Sequence, residues 1–133
     1  MNRRKNISKM KIVIADDSIM FRERIVGLLK SINNVEIAGE ADNGLEILKL
    51  IKEKKPDLAI LDIRMPEMNG IEVLRKIREN GTKIKTCILT SYPYKQYRDR
   101  CAIEGADYFF DKNLDIKQIT DLITTLANNQ KGE

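Results

Sequence analysis

Five residues stand where they could do chemistry together. Asp16 and Asp17 close the apolar run Lys11-Ile12-Val13-Ile14-Ala15, and Asp62 closes Leu58-Ala59-Ile60-Leu61. Thr90 ends the run from Ile84 to Leu89, and Lys112 follows the run from Ala106 to Phe110. Three carboxylates brought side by side repel one another and stay ionised only with a cation among them. Carboxylate oxygens with a backbone carbonyl and waters suit a hard octahedral ion, so Mg2+ leads. Lys112 offers a second positive charge, and Thr90 offers a hydrogen bond. A group with several anionic oxygens would be held from three sides, which is what phosphoryl transfer requires.

Each residue also has a plain reading. An Asp pair after a strand is commonly a helix cap, Asp62 a loop acid, Thr90 a β residue and Lys112 a solvated amine. Taken singly these readings win. The joint case differs, because all five follow strand ends and none falls at the opposite edge.

The elements that must position them alternate short apolar runs with longer amphipathic stretches. Ser18 caps a helix with Phe21, Ile25, Leu28, Leu29 and Ile32 on one face, broken at Asn33-Asn34. Val35 to Glu40 alternates as a half-buried edge strand. Asn43 caps a second helix with Leu45, Leu48 and Ile51 inward, stopped by Pro56. Leu58 to Leu61 is a central strand. The loop from Met65 to Gly70 leads to a third helix with Ile71, Val73, Leu74 and Ile77, ended at Asn80-Gly81. After the fourth strand, Tyr92-Pro93 opens a fourth helix, with the proline near its first turn, and Gly105 closes it. The fifth strand spans 106–110 and the fifth helix about 114–127. Five βα units predict an α/β fold: a doubly wound five-stranded parallel sheet with helices on both faces. Sites in such sheets form beyond the carboxyl ends of the strands, which is where the five residues stand.

Composition bounds the rest. The 133 residues predict one domain. With no His there is no Ser-His-Asp triad, no His-ligated zinc and no phosphohistidine on this chain. The two cysteines, Cys87 and Cys101, make no disulfide framework, so a reducing cytoplasm is the expected location. No apolar run approaches a membrane span. The net charge of +4 is local: Arg3, Arg4, Lys5 and Lys9 precede Met10 without an acid, and removing those four leaves 20 bases against 20 acids. The expected division is therefore a flexible basic extension over 1–9, a domain over 10–127 and a polar tail over 128–133. No direct nucleic-acid partner is expected.

From about Met10 to Ala127 the chain resembles the receiver domain of a two-component response regulator, of the single-domain, chemotaxis-regulator-like kind. The resemblance rests on Ile12-Val13-Ile14-Ala15-Asp16-Asp17-Ser18, on Asp62-Ile63-Arg64-Met65-Pro66-Glu67-Met68-Asn69-Gly70, on Ile88-Leu89-Thr90-Ser91, and on Gly105-Ala106-Asp107-Tyr108-Phe109-Phe110-Asp111-Lys112. It implies the flavodoxin-like strand order 2-1-3-4-5. It implies that Asp62 becomes an aspartyl phosphate, that Asp17 ligates Mg2+ directly with Asp16 largely through water, and that Asp62 and the Arg64 carbonyl complete the set. Lys112 would pair with the phosphoryl oxygens. Thr90 would turn towards them, and Phe109 would follow as the switch aromatic. Arg64 and Tyr92, each two residues past Asp62 and Thr90, would modulate the hydrolysis rate.

Two departures matter. Asn113 stands where the family often has proline after the lysine, and a non-proline cis bond costs about 3 kcal/mol, so the sequence leaves the isomer of Lys112-Asn113 open. Phe109 replaces the commoner Tyr and has no hydroxyl to bond a partner.

The implied donor is a histidine kinase or histidine phosphotransfer protein. The implied output is a changed surface on the fourth helix, fifth strand and fifth helix, for an unknown downstream protein or a homodimer. Tyr94 is the expected partner contact there, while Tyr97 and Cys101, four apart, are expected to pack inward. The alternative is the excised receiver of a larger transcription regulator with a DNA-binding domain. A Mg2+-dependent aspartyl phosphatase would want an acid two residues past Asp62, where Arg64 stands. A flavodoxin-like cofactor carrier would want a phosphate-binding loop, where Asp16 and Asp17 would repel the phosphate.

Overall fold

The computed structural model describes residues 9–131. The chain alternates strand and helix throughout: β1 (Met10–Ala15), α1 (Ile19–Lys30), β2 (Val35–Ala41), α2 (Gly44–Lys54), β3 (Leu58–Leu61), α3 (Gly70–Glu79), β4 (Lys85–Thr90), α4 (Lys95–Ile103), β5 (Tyr108–Asp111) and α5 (Ile116–Lys131). The five strands form one sheet in the order β2-β1-β3-β4-β5, all paired in parallel. The doubly wound fold and its order are as the sequence predicts.

Strand alternation builds two cores. Ile12 and Ile14 face one side, with Leu58, Ile60, Cys87 and Leu89, and are covered by Ile25 and Leu29 of α1 and Ile119 and Ile123 of α5. Val13, Ala15, Ala59, Leu61 and Ile88 face the other, covered by Ile47 and Ile51 of α2, Val73, Leu74 and Ile77 of α3, and Cys101 of α4. A strand covered on both faces must be apolar at every position, which is why β3 reads as an unbroken run. At the opposite edge from the carboxyl ends, the Asp57 carboxylate accepts the Lys11 N–H at 2.8 Å and fixes the start of β1.

Several boundaries differ from those predicted. Helix α4 starts at Lys95, not at Tyr92-Pro93. The Tyr92 N–H is taken by the Thr90 hydroxyl at 3.0 Å, and Tyr94 has extended backbone at φ −71°, ψ 148°, so the proline lies before the helix. Helix α1 ends at Lys30, three residues before Asn33. β5 begins at Tyr108, because the Asp107 N–H bonds the Thr86 carbonyl at the strand's entrance. Leu45 is exposed rather than inward. The Asn43 cap sets the phase of α2 so that Gly44, Ile47 and Ile51 meet the core. α5 starts at Ile116 and continues to Lys131, through part of the expected tail. The expected basic extension falls almost entirely outside the described residues. No cis peptide bond occurs among the described residues.

Two close approaches shape the loop after β3. A Cβ on Gly70 would lie 2.1 Å from the Asp62 carbonyl oxygen, and one on Gly44 would lie 2.0 Å from that of Met68. The loop therefore folds back onto Asp62 and onto α2, and the Gly70 N–H bonds the Ile63 carbonyl at 2.8 Å. Asn69 and Glu72 form a reciprocal cap that starts α3 there.

Candidate functional site

The carboxyl ends of β1, β3 and β5 bring three of the predicted residues into direct contact. The Lys112 ammonium lies 2.6 Å from Asp16 Oδ2 and 3.1 Å from Asp62 Oδ2. All three side chains are nearly buried, so these are ion pairs shielded from water. Asp17 is exposed at the mouth, and carboxylate oxygens of Asp16, Asp17 and Asp62 all lie within 4.8 Å of one another. That is a three-oxygen set of hard donors, and it fits a Mg2+ ion.

Backbone geometry explains the convergence. The Asp62 N–H bonds the Ala15 carbonyl at 3.0 Å, and the Asp16 N–H bonds the Ala41 carbonyl at 3.0 Å. Each acid is thus the first residue past the sheet ladder. Asp16 Oδ1 accepts the Ser18 N–H at 2.9 Å, and the Ser18 hydroxyl caps α1 by accepting the Phe21 N–H at 3.2 Å. Asp62 Oδ1 accepts the Ile63 N–H at 2.7 Å, which leaves Oδ2 on the lysine side. The Lys112 N–H bonds the Thr90 carbonyl at 2.9 Å, tying the amine to the end of β4.

The electrostatics follow from crowding. Burial is the largest influence on the Asp62 carboxyl and pushes it up from 3.8 to about 6; Asp16 adds to the rise, and Lys112 opposes it. Burial alone would lower the Lys112 ammonium, but its contacts with Asp16 and Asp62 outweigh burial and raise it. The thiols take no part: burial pushes Cys87 up to about 12 and Cys101 up to about 11.

The remaining predicted residues lie on the neighbouring loops and elements. Thr90 is fully buried, with its hydroxyl oxygen turned to the Tyr92 N–H. Arg64 is exposed; its guanidinium lies 3.7 Å over the Tyr92 ring and donates to the Tyr97 hydroxyl at 3.3 Å. Tyr94 is 52% exposed and stacks on Tyr97 with ring centroids 6.0 Å apart. Cys101 is buried as expected, whereas Tyr97 is half-buried and shared between the core and this aromatic group. Phe109 is half-buried, with the Arg98 guanidinium 4.4 Å over its ring.

Two participants escape a reading of the sequence. Phe21 reads as one more apolar position on α1, yet its ring lies 4.3 Å from the Lys112 ammonium. Arg22 reads as a solvated base, yet it donates to the Asp16 carbonyl and pairs with Glu40 at 3.2 Å. Neither residue has a sequence signature, because the Phe21–Lys112 and Arg22–Glu40 contacts join elements distant along the chain and the Arg22–Asp16 contact depends on how the loop before α1 turns back.

Comparison with known proteins agrees with this fold. The family described as response regulator receiver domain matches residues 12–124. The protein-glutamate methylesterase/protein-glutamine glutaminase of Clostridium acetobutylicum is 37% identical over 108 residues, which are 80% of this chain and 31% of that protein. A DNA-binding response regulator of the LuxR family from Staphylococcus aureus superposes with a TM-score of 0.82 at 34% identity, covering 92% of this chain and 98% of that one. A chain of the CheX-CheY-BeF3-Mg2+ complex from Borrelia burgdorferi gives 0.82 at 26% identity, covering 95% and 94%. The chain spans from about a third to a little over half the length of several curated relatives it matches.

Proposed function

The chain belongs to the response regulator receiver domain family, and on that premise we propose that Asp62 is its phosphoryl acceptor. Receiver domains are signalling modules that accept phosphoryl groups from histidine kinases and generally bind Mg2+ at an acidic pocket. What carries the reading here is the meeting of Asp16, Asp17 and Asp62 with Lys112 at one sheet edge.

The chain's own groups divide the work. A carboxylate oxygen of Asp62 forms the new bond to phosphorus while the donor's bond to phosphorus breaks, its electron pair leaving with the donor. The carboxylate must be ionised to attack, which a value near 6 permits at neutral pH. Lys112 lets go of Asp62 Oδ2 and takes a phosphoryl oxygen. Thr90 turns its hydroxyl from Tyr92 towards another, and Phe109 moves inward behind it. Asp16, Asp17, Asp62 and the Arg64 carbonyl would hold Mg2+, which supplies charge neutralisation at the transferring group. Arg64 and Tyr92 crowd the mouth and slow the water that would hydrolyse the product.

The expected donor is a histidine kinase or histidine phosphotransfer protein in the cytoplasm. The output is a rearranged α4-β5-α5 surface, with Tyr94 as the partner contact or as part of a homodimer. The second reading is a receiver within a longer transcription regulator, in line with the transcriptional regulators among its relatives; its site chemistry would be the same.

The test is phosphorylation by a small acyl phosphate with Mg2+, followed by intact mass. The expected result is a phosphoryl-sized gain that EDTA abolishes. No gain with either a small-molecule or a kinase donor would overturn the reading.

A further inference from the structure

We infer that Phe21 is a positioning residue for phosphoryl transfer, holding the Lys112 ammonium over the acceptor carboxylate through the face of its ring. The inference rests on the phosphoryl-acceptor reading and extends it to a residue outside the acid-threonine-lysine set.

The geometry of the ammonium makes the case. Its side chain is only 9% exposed, so it has little water. An ammonium has three N–H donors. Two directions are taken by Asp16 Oδ2 at 2.6 Å and Asp62 Oδ2 at 3.1 Å. The Phe21 ring lies against it, 4.3 Å from centroid to nitrogen, well inside the range in which an aromatic face attracts a cation. A ring face carries the negative part of the aromatic quadrupole, so it stabilises a buried charge where an aliphatic side chain would only desolvate it.

The ring is also held in register with the site. Phe21 sits in the first turn of α1, and its N–H bonds the Ser18 hydroxyl. The Ser18 N–H bonds Asp16 Oδ1, and Arg22, the next residue, donates to the Asp16 carbonyl. Asp16 therefore anchors both the ammonium and the turn that carries the ring. This matters during the reaction, because Lys112 has to exchange Asp62 Oδ2 for a phosphoryl oxygen. A hydrogen bond to a fixed acceptor would resist that shift. A ring face attracts the charge with little directional demand and stays engaged while the ammonium moves.

The experiment compares phosphorylation rates with acetyl phosphate and Mg2+ for wild type, Phe21→Leu and Phe21→Tyr, and for protein carrying mono-, di- and trifluorinated phenylalanine at position 21. Fluorination keeps the ring's shape and weakens its attraction for cations. The expected result is a loss of about 2- to 30-fold in Phe21→Leu, the rate equivalent of a cation–π contact. The rate should recover in Phe21→Tyr and fall stepwise along the fluorinated series. A purely packing role would leave that series flat, and a flat series overturns the inference. A second readout needs no phosphorylation: the Lys112 ε-methylene protons should show an upfield ring-current shift by NMR that Phe21→Leu abolishes. If that shift is absent in the wild type, Phe21 does not hold Lys112 and the inference fails. If the wild type takes up no phosphoryl group while the shift is present, the functional reading fails, and the positioning of a catalytic Lys112 fails with it.

Discussion

Replacing the Asp62 carboxylate should stabilise the metal-free protein. Asp62 is 6% exposed and sits beside Asp16, so its charge is held at a cost that one ammonium only partly offsets. Its folded value of about 6 exceeds its ordinary 3.8. Between those values the folded state binds more protons than the unfolded one, so stability falls as pH rises through that window. The penalty is absent below the lower value and complete above the upper one. Its size is about 3 kcal/mol. Asp62→Asn removes that charge and keeps Asp16 as partner for Lys112. Its amide oxygen can serve Ile63 or Lys112 but not both, which costs about 1 kcal/mol. The net gain is about 2 kcal/mol, or about 5–10 °C in Tm for a domain of this size. Thermal melts in EDTA from about pH 4 to about pH 8 should show Asp62→Asn slightly less stable than wild type at the acid end, where only the lost hydrogen bond counts, and more stable as pH rises through the window. An advantage that is flat with pH, or a less stable variant at neutral pH, would refute the reasoning.

Other expectations concern neighbouring groups. Mg2+ should raise the wild-type Tm by relieving repulsion among the three acids, and Asp17→Ala should lose most of that rise in the same melts. Exchanging Arg64 and Tyr92 together for Ala should shorten the phosphorylated lifetime several-fold, followed as phosphate release; an unchanged or longer lifetime would count against the crowding argument. Gly70→Ala should cost about 3 kcal/mol or more in a denaturant melt, because its Cβ meets the Asp62 carbonyl oxygen and the loop after β3 cannot fold back.

The sheet and the acid–lysine centre were legible because four of the five strands are short apolar runs ended or closely followed by a polar residue. Asp16, Asp62, Thr90 and Lys112 all lie at or just past a strand end, and parallel strands bring such ends to one edge. Phase and boundary were harder. Leu45 looks like a core residue until the Asn43 cap sets the rotation of α2. Pro93 suits a first helical turn, but the Thr90 hydroxyl claims the Tyr92 N–H and keeps the chain extended. The polar residues after Ala127 continue α5, which carries Asn128 and Asn129 exposed to solvent. Phe21, Arg22 and Tyr97 show the deeper limit: the contacts of Phe21 with Lys112, of Arg22 with Glu40 and of Tyr97 with Arg64 join distant parts of the chain, and no local pattern encodes them.

The central claim is that Asp62, and not Asp16 or Asp17, carries the phosphoryl group. Borohydride reduction of the phosphorylated protein converts an aspartyl phosphate to homoserine, and peptide mass spectrometry then locates it. The account predicts homoserine at position 62 and intact aspartate at 16 and 17. Homoserine at either of those positions, or persistent labelling in Asp62→Asn at the wild-type rate, would contradict it.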